Sequence, residues 1–171
     1  MCVFNACSLT TIPKRAHLLD YLIVNQIDIT FITETWFDET LNDKVASLFG
    51  QYTVIGRRDR CNGPRGGVIA LKKLFTNIDI SNVPLLDRFD FACAFLLNSR
   101  SETPVLLLLI YLPPSKSPYS VSASDLSACI DSLFNTKIIG QLYPEPKLCI
   151  LGDINLPKTQ WKTMTSSVDY E

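Results

Sequence analysis

The sequence predicts an α/β fold, a layered sandwich with mixed, mainly antiparallel sheets. Strand–helix–strand patterns stand near both ends of the chain, and a block of consecutive strand patterns lies between them. Neither a G-x-G-x-x-G nor a Walker A sequence is present, so a doubly wound nucleotide-binding sheet is not expected.

Each element has a local reason. Met1 to Ala6 is a short apolar strand. Thr10-Thr11-Ile12-Pro13 opens a helix, because proline is tolerated in the first turn. Leu18, Leu19, Leu22 and Ile23 share one face of that helix, and Asn25-Gln26 ends it. Ile27 to Thr33 is β-branched and apolar, as a buried strand should be. Thr35 to Glu39 reads as a polar loop exposing Trp36 and Phe37. Leu41, Val45 and Leu48 suggest a short helix that Gly50 closes. Tyr52 to Arg58, Gly67 to Lys73, Ile78 to Leu86 and Phe89 to Leu97 read as strands. Gly63-Pro64 and Asn98-Ser99 supply turns. Pro104 to Leu112 is the most apolar strand, and Pro113-Pro114 ends it. Ser115 to Ser120 is a loop. Ser122 and Asp125 form a loose capping box, followed by the stripe Leu126, Cys129, Ile130, Leu133, Phe134 and Ile138. Lys147 to Leu151 is a last buried strand, with Gly152 opening the loop after it. Residues 157–171 carry no strong pattern.

Composition bounds the function. The 171 residues are 47% hydrophobic and 19% charged, which suits one packed domain over residues 1–171 and excludes a disordered chain. The longest apolar run, Val105 to Leu112, is too short to cross a bilayer. No charged lead-in followed by an apolar region marks a signal peptide, so an intracellular, non-secreted protein is expected. The net charge of −1 favours no partner class. Locally, Arg57, Arg58, Arg60, Arg65, Lys72 and Lys73 crowd one region against Asp59 alone; a solvated strand pair explains this as well as a phosphate-binding patch does. The six cysteines contain no C-x-x-C pair. Cys2, Cys93, Cys129 and Cys149 sit among apolar neighbours, as small buried hydrophobes rather than a disulfide framework or zinc site.

The residues that could do chemistry stand at ends of buried strands, which converge on one edge in layered α/β folds. Asn5 ends the first strand, Glu34 follows the second, Tyr111 ends the most apolar one, and Asp153 and Asn155 follow the last. Carboxylates with an amide make an oxygen site suited to Mg²⁺. A second carboxylate can polarise water, and an amide can hold a phosphate oxygen. Position alone leaves other readings open. Glu34 could be a solvated loop residue, Asn5 a turn former, Asp153 a cap and Tyr111 a core aromatic. His17, the sole histidine, lies beside the apolar face of the first helix and reads as structural. Trp36 and Trp161 read as packing residues.

Five segments in order resemble the endonuclease domain of non-LTR (LINE-type) retrotransposons, within the endonuclease/exonuclease/phosphatase superfamily. Asn5-Ala6-Cys7-Ser8-Leu9 is similar to the family's N-A-R-S-L, and Thr33-Glu34-Thr35-Trp36 to its T-E-T-W. Arg58-Asp59-Arg60 with Arg65-Gly66-Gly67-Val68 resembles R-x-D-R…G-G-G-V. Tyr111-Leu112-Pro113-Pro114 resembles Y-R-P-P, and Leu151 to Pro157 with Trp161 resembles L-G-D-F-N-x-P…W. The resemblance implies a four-layer, DNase I-like sandwich and Mg²⁺-dependent hydrolysis of DNA, with Mn²⁺ as a substitute ion. Glu34 would bind the metal with Asn5 beside it. Tyr111 would contact the scissile phosphate, Asp153 would orient or activate the water, and Asn155 would hold the phosphate and Asp153 in register. Arg58 and Arg60 would support the hairpin or track the DNA backbone. DNA is the implied partner, nuclear action is implied, and a downstream reverse transcriptase domain would complete the element.

Two departures are small: Cys7 stands where the family has Arg, and Arg65 where it has the first Gly. The third is large. The family ends with a further Asp and an S-D-H motif, and no histidine follows Asn155 here. On the resemblance we expect a domain lacking its C-terminal strands, and a chain that alone is inactive or nearly so. A same-fold phosphatase acting on another phosphoester and a non-catalytic DNA-binding remnant stay open as alternatives.

Overall fold

A computed structural model describes residues 1–37, 45–59, 66–98, 103–114, 117, 120–135 and 147–155. The described strands form two four-stranded sheets. Strands β1 (Cys2–Asn5), β2 (Ile29–Thr33), β3 (Tyr52–Arg58) and β4 (Val68–Lys73) make the first, in the order β1-β2-β4-β3. Strands β5 (Asp79–Val83), β6 (Ala92–Asn98), β7 (Val105–Tyr111) and β8 (Lys147–Asp153) make the second, in chain order. Each sheet holds one parallel pair joined across a helix. Helix α1 (Ile12–Val24) links β1 to β2, and α2 (Ala123–Phe134) links β7 to β8. The remaining pairings are antiparallel. This is the α/β sandwich with mixed sheets that the sequence predicts.

Side-chain alternation along the strands builds the layers. Ile29, Phe31, Val68 and Ala70 of the first sheet meet Cys93, Phe95, Leu107, Leu109 and Tyr111 of the second in an inter-sheet core. The alternate residues face outward. Ile32, Ile69 and Leu71 pack under Leu22 of α1, and Ala92, Ala94, Leu106 and Leu108 pack under Cys129 and Leu133 of α2. The order is therefore helix, sheet, sheet, helix. Both faces of β2 are covered, which is why Ile29–Thr33 is buried throughout and reads as an unbroken apolar run.

The helix ends follow their sequences. Pro13 stands in the first turn of α1, and Asn25 caps its end, donating from Nδ2 to the Tyr21 carbonyl at 2.8 Å. Ser122 and Asp125 form the expected capping box on α2: Ser122 Oγ accepts from Asp125 N–H, and Asp125 Oδ2 accepts from Ser122 N–H, both at 3.1 Å.

Several expectations need correcting. Ile23 is exposed rather than part of the α1 apolar face, because that face is narrower and centred on Leu22. Phe37 is buried, packed at 6.4 Å from Phe49 with Arg57 over its ring. The helix suggested around Leu41 to Leu48 is a short 3-10 turn, Val45–Phe49, within the described residues. Cys2 and Cys149 are half-buried, whereas burial pushes the Cys93 thiol up to about 12 and the Cys129 thiol to about 11. Gly152 does not open a loop. Strand β8 continues to Asp153, in register with Tyr111 of β7. Ile138 and Trp161 lie outside the described residues, as do Arg60, Arg65 and Cys61.

Gly152 shows why β8 reaches Asp153. Its φ is +124°, and a Cβ there would lie 1.9 Å from the Ile110 carbonyl oxygen. That oxygen is backbone of the neighbouring strand and cannot swing aside. Gly152→Ala should therefore destabilise the fold by about 3 kcal/mol or more, measured by urea denaturation. A loss under about 0.5 kcal/mol, the range of ordinary surface substitutions, would contradict this backbone approach.

Candidate active site

Parallel strands end together, so the C-terminal ends of β1 and β2 share one edge, as do those of β7 and β8. The side chains bring these edges to one point. Asn5 Nδ2 donates to Glu34 Oε1 at 3.1 Å and to Asp153 Oδ2 at 2.7 Å. The second bond spans 148 residues of sequence and joins the two sheets. Asp153 has the same parity along β8 as Cys149 and Leu151, which face the inter-sheet core. Its carboxylate thus emerges between the sheets.

Backbone geometry fixes each member. Cys7 N–H donates to Asn5 Oδ1 at 3.0 Å, which turns the amide nitrogen toward the carboxylates. The Cys7 carbonyl in turn accepts from Lys14 Nζ at 2.5 Å. Ser8 N–H donates to the Glu34 carbonyl at 2.8 Å, and Trp36 N–H to the Gly66 carbonyl at 2.8 Å. Asn155 N–H donates to Asp153 Oδ1 at 3.2 Å, while its Nδ2 donates to the Leu112 carbonyl at 3.0 Å. Asn155 therefore holds Asp153 in register through its backbone, and its side chain anchors the end of β8 to the end of β7.

Cys7, Ser8, Glu34, Trp36 and Asn155 all have left-handed φ, between 42° and 89°. Among described residues other than glycine only Gln26 and Phe75 share that conformation. Such residues cost on the order of 1–3 kcal/mol each where strained, and they persist where surrounding contacts over-determine them. Gly67 belongs to the same frame: its φ is +83°, and a Cβ would stand 2.5 Å from Thr35 Oγ1.

The electrostatics favour a cation. Two carboxylates approach one amide nitrogen, and among the described residues neither has a salt-bridge partner. The hard oxygen donors are the carboxylates of Glu34 and Asp153, while Asn5 turns its amide nitrogen to them and its oxygen to Cys7 N–H. No cluster of three or more His, Cys, Asp or Glu side chains able to hold a metal occurs among the described residues. The pair of carboxylates is a donor set that fits Mg²⁺, which keeps most of its waters and is often held by only one or two carboxylates. Cys7 lies in the field of these carboxylates. The Glu34 carboxylate beside it raises its thiol above the ordinary value, with Asp153 adding to the effect and Lys14 opposing it.

The remaining sequence candidates distribute differently. Tyr111 stands beside Asp153 in the β7–β8 register, with its ring packed in the inter-sheet core. Arg58 donates to Asp87 Oδ1 at 2.9 Å and to the Leu85 carbonyl at 2.7 Å, so it ties β3 to the loop before β6. Arg57 pairs with Asp59. Lys72 donates to the Ile78 carbonyl and lies at the far end of β4, opposite Ile29. Among the described residues, the basic cluster is thus divided between Arg57 and Arg58 at one end of the sheet and Lys72 and Lys73 at the other. His17 is exposed on α1, where it lines a groove with Asn5 and Lys14. Sequence reasoning missed Lys14 as the tether of the Cys7 carbonyl, because a lysine in a first helical turn carries no distinguishing pattern.

No protein-family model matches the chain, and no curated protein sequence matches it. Solved structures do. The 3′ phosphatase NExo from Neisseria, bound to a product DNA hairpin, aligns with 90% of this chain and 56% of its own at 16% identity, with a TM-score of 0.57. Truncated TDP2 from Caenorhabditis elegans aligns over 90% and 61% at 17% identity, with a TM-score of 0.51. ANGEL2, a 2′,3′-cyclic phosphatase, aligns over 90% and 51% at 11% identity, with a TM-score of 0.55. At such identities the likeness is one of fold, the DNase I-like sandwich. The chain spans little more than half the length of these structures.

If Glu34 sits against Cys7 as described, Glu34→Gln should lower the Cys7 thiol pKa. The thiolate is the species that alkylates, so iodoacetamide labelling of Cys7 near pH 8 should become severalfold faster, followed by peptide mass spectrometry. An unchanged labelling rate would contradict the contact.

Proposed function

We propose that this chain carries the metal-binding and water-activating part of a Mg²⁺-dependent phosphodiester-hydrolysing site that acts on DNA. The observation that supports it most is the convergence of Glu34 and Asp153 on the Asn5 amide at the mouth of a DNase I-like sandwich. Glu34, with Asn5 beside it, would hold the ion, with Mn²⁺ able to replace Mg²⁺. The ion supplies charge neutralisation at the phosphate and at the departing oxygen. Asp153 is held in one orientation by Asn5 Nδ2 and Asn155 N–H, as a carboxylate that takes a proton from attacking water needs to be. Tyr111 and the second N–H of the Asn155 amide, whose first bonds the Leu112 carbonyl, are the candidates for phosphate contacts. NExo was solved with a DNA hairpin product and one TDP2 with a single-strand DNA product, which supports DNA as the substrate class.

The five motifs support a narrower role, the target-nicking endonuclease of a non-LTR retrotransposon. Its product would prime a reverse transcriptase of the same element, in the nucleus. Arg58, bonded to Asp87 and to the Leu85 carbonyl, would support the hairpin of such an enzyme or track the DNA backbone.

One observation favours slow turnover. The sole histidine, His17, lies on α1 beside Asn5 and not where the resembled family carries its S-D-H histidine. Losing one member of a catalytic unit costs on the order of 10³–10⁶ in rate in other hydrolases. A DNA-binding protein without turnover is the second reading. With Mg²⁺ and a large excess of protein, supercoiled plasmid should convert slowly to nicked circles. Glu34→Ala, Asp153→Asn or EDTA should each return conversion to the no-protein level. Nicking that survives both substitutions would overturn the assignment. Salt-sensitive DNA retention with no nicking would leave the second reading.

A further inference from the structure

A groove of about 220 Å³ runs beside the site, between β1 and α1, lined by Phe4, Asn5, Ala6, Leu9, Lys14, His17 and Leu18. Its floor is apolar. Phe4 is half-buried and meets Tyr21 edge-on at 5.2 Å, while Leu9 and Leu18 form the walls. Lys14 and His17 stand one helical turn apart along one side, and Tyr21 continues that row. The groove shares Asn5 with the carboxylate cluster, and Lys14 is tethered to the Cys7 carbonyl between the two. Strand β1 is an edge of its sheet among the described strands.

We infer that this groove seats one unpaired nucleobase next to the scissile phosphate, which makes single-stranded or frayed DNA the preferred substrate. The inference rests on the phosphodiesterase reading above. An apolar floor with an aromatic ring and a cationic side is the arrangement that holds a base and its neighbouring phosphate without reading sequence. The volume takes one planar base rather than a larger ligand. A base within a duplex cannot enter it, because both of its faces are occupied by neighbours and its edge by its partner.

The test uses the full chain with EDTA, so that nothing is cleaved. Two short single-stranded oligonucleotides of equal length are compared, one with bases and one wholly abasic. Stacking of a base on an aromatic side chain is worth about 1–3 kcal/mol, so the base-bearing strand should bind at least about tenfold more tightly. Leu18→Glu puts a carboxylate on the apolar wall and should bring the ratio close to one. Should that variant fold poorly, the unsubstituted protein gives a second readout. The Leu18 methyl resonances should shift with the base-bearing strand and not with the abasic one. Equal affinity for the two strands, or unmoved Leu18 methyls, overturns the base subsite and leaves the phosphodiesterase reading intact. Binding of neither strand at low salt also overturns the base subsite, and loss of the plasmid nicking described above is what overturns the phosphodiesterase reading.

Discussion

The Asn5 amide is the part on which the described site depends. One nitrogen donates to Glu34, at the end of the first sheet, and to Asp153, at the end of the second. Without it the two carboxylates would belong to separate sheet edges held only by the inter-sheet core. That core fixes the distance between sheets through Phe31, Phe95, Leu107 and Leu109, but it is non-directional and cannot aim a carboxylate. Hydrogen bonds aim it. The Cys7 N–H sets the face of the amide, and the Asn155 N–H sets the second oxygen of Asp153. The site is thus built by polar contacts on a frame spaced by apolar ones.

This division explains where the backbone is strained. Left-handed residues gather in the loops that follow β1, β2 and β8, where the chain must turn sharply while still presenting a side chain inward. Gly152 lets β8 approach Ile110 closely enough to carry Asp153 alongside Tyr111, and Gly67 admits the Thr35 side chain. The strand interiors need no such devices, because their alternation already satisfies both the core and the ladder.

Much of the frame was legible in the sequence, since β2, β6 and β7 are apolar runs and the α2 capping box is written in Ser122 and Asp125. The positions of Asn5, Glu34 and Asp153 at strand ends were legible too. Their mutual contact was not, because a hydrogen bond across 148 residues has no local signature. The basic cluster misled for a related reason. Neighbours in sequence such as Arg58 and Lys72 fall at opposite ends of an antiparallel pair, where one anchors a loop through Asp87 and the other binds the Ile78 carbonyl. Phe37 looked exposed beside polar residues, yet its ring is covered by Arg57 and Phe49, a tertiary effect that periodicity does not register.

On this account the edge binds one divalent ion through Glu34. Titration of the full chain with Mn²⁺, followed by electron paramagnetic resonance of the free ion, tests it without requiring catalysis. One bound ion per chain, lost in Glu34→Gln and displaced by excess Mg²⁺, is the result the structure predicts. No bound ion, or binding that Glu34→Gln leaves unchanged, would contradict it.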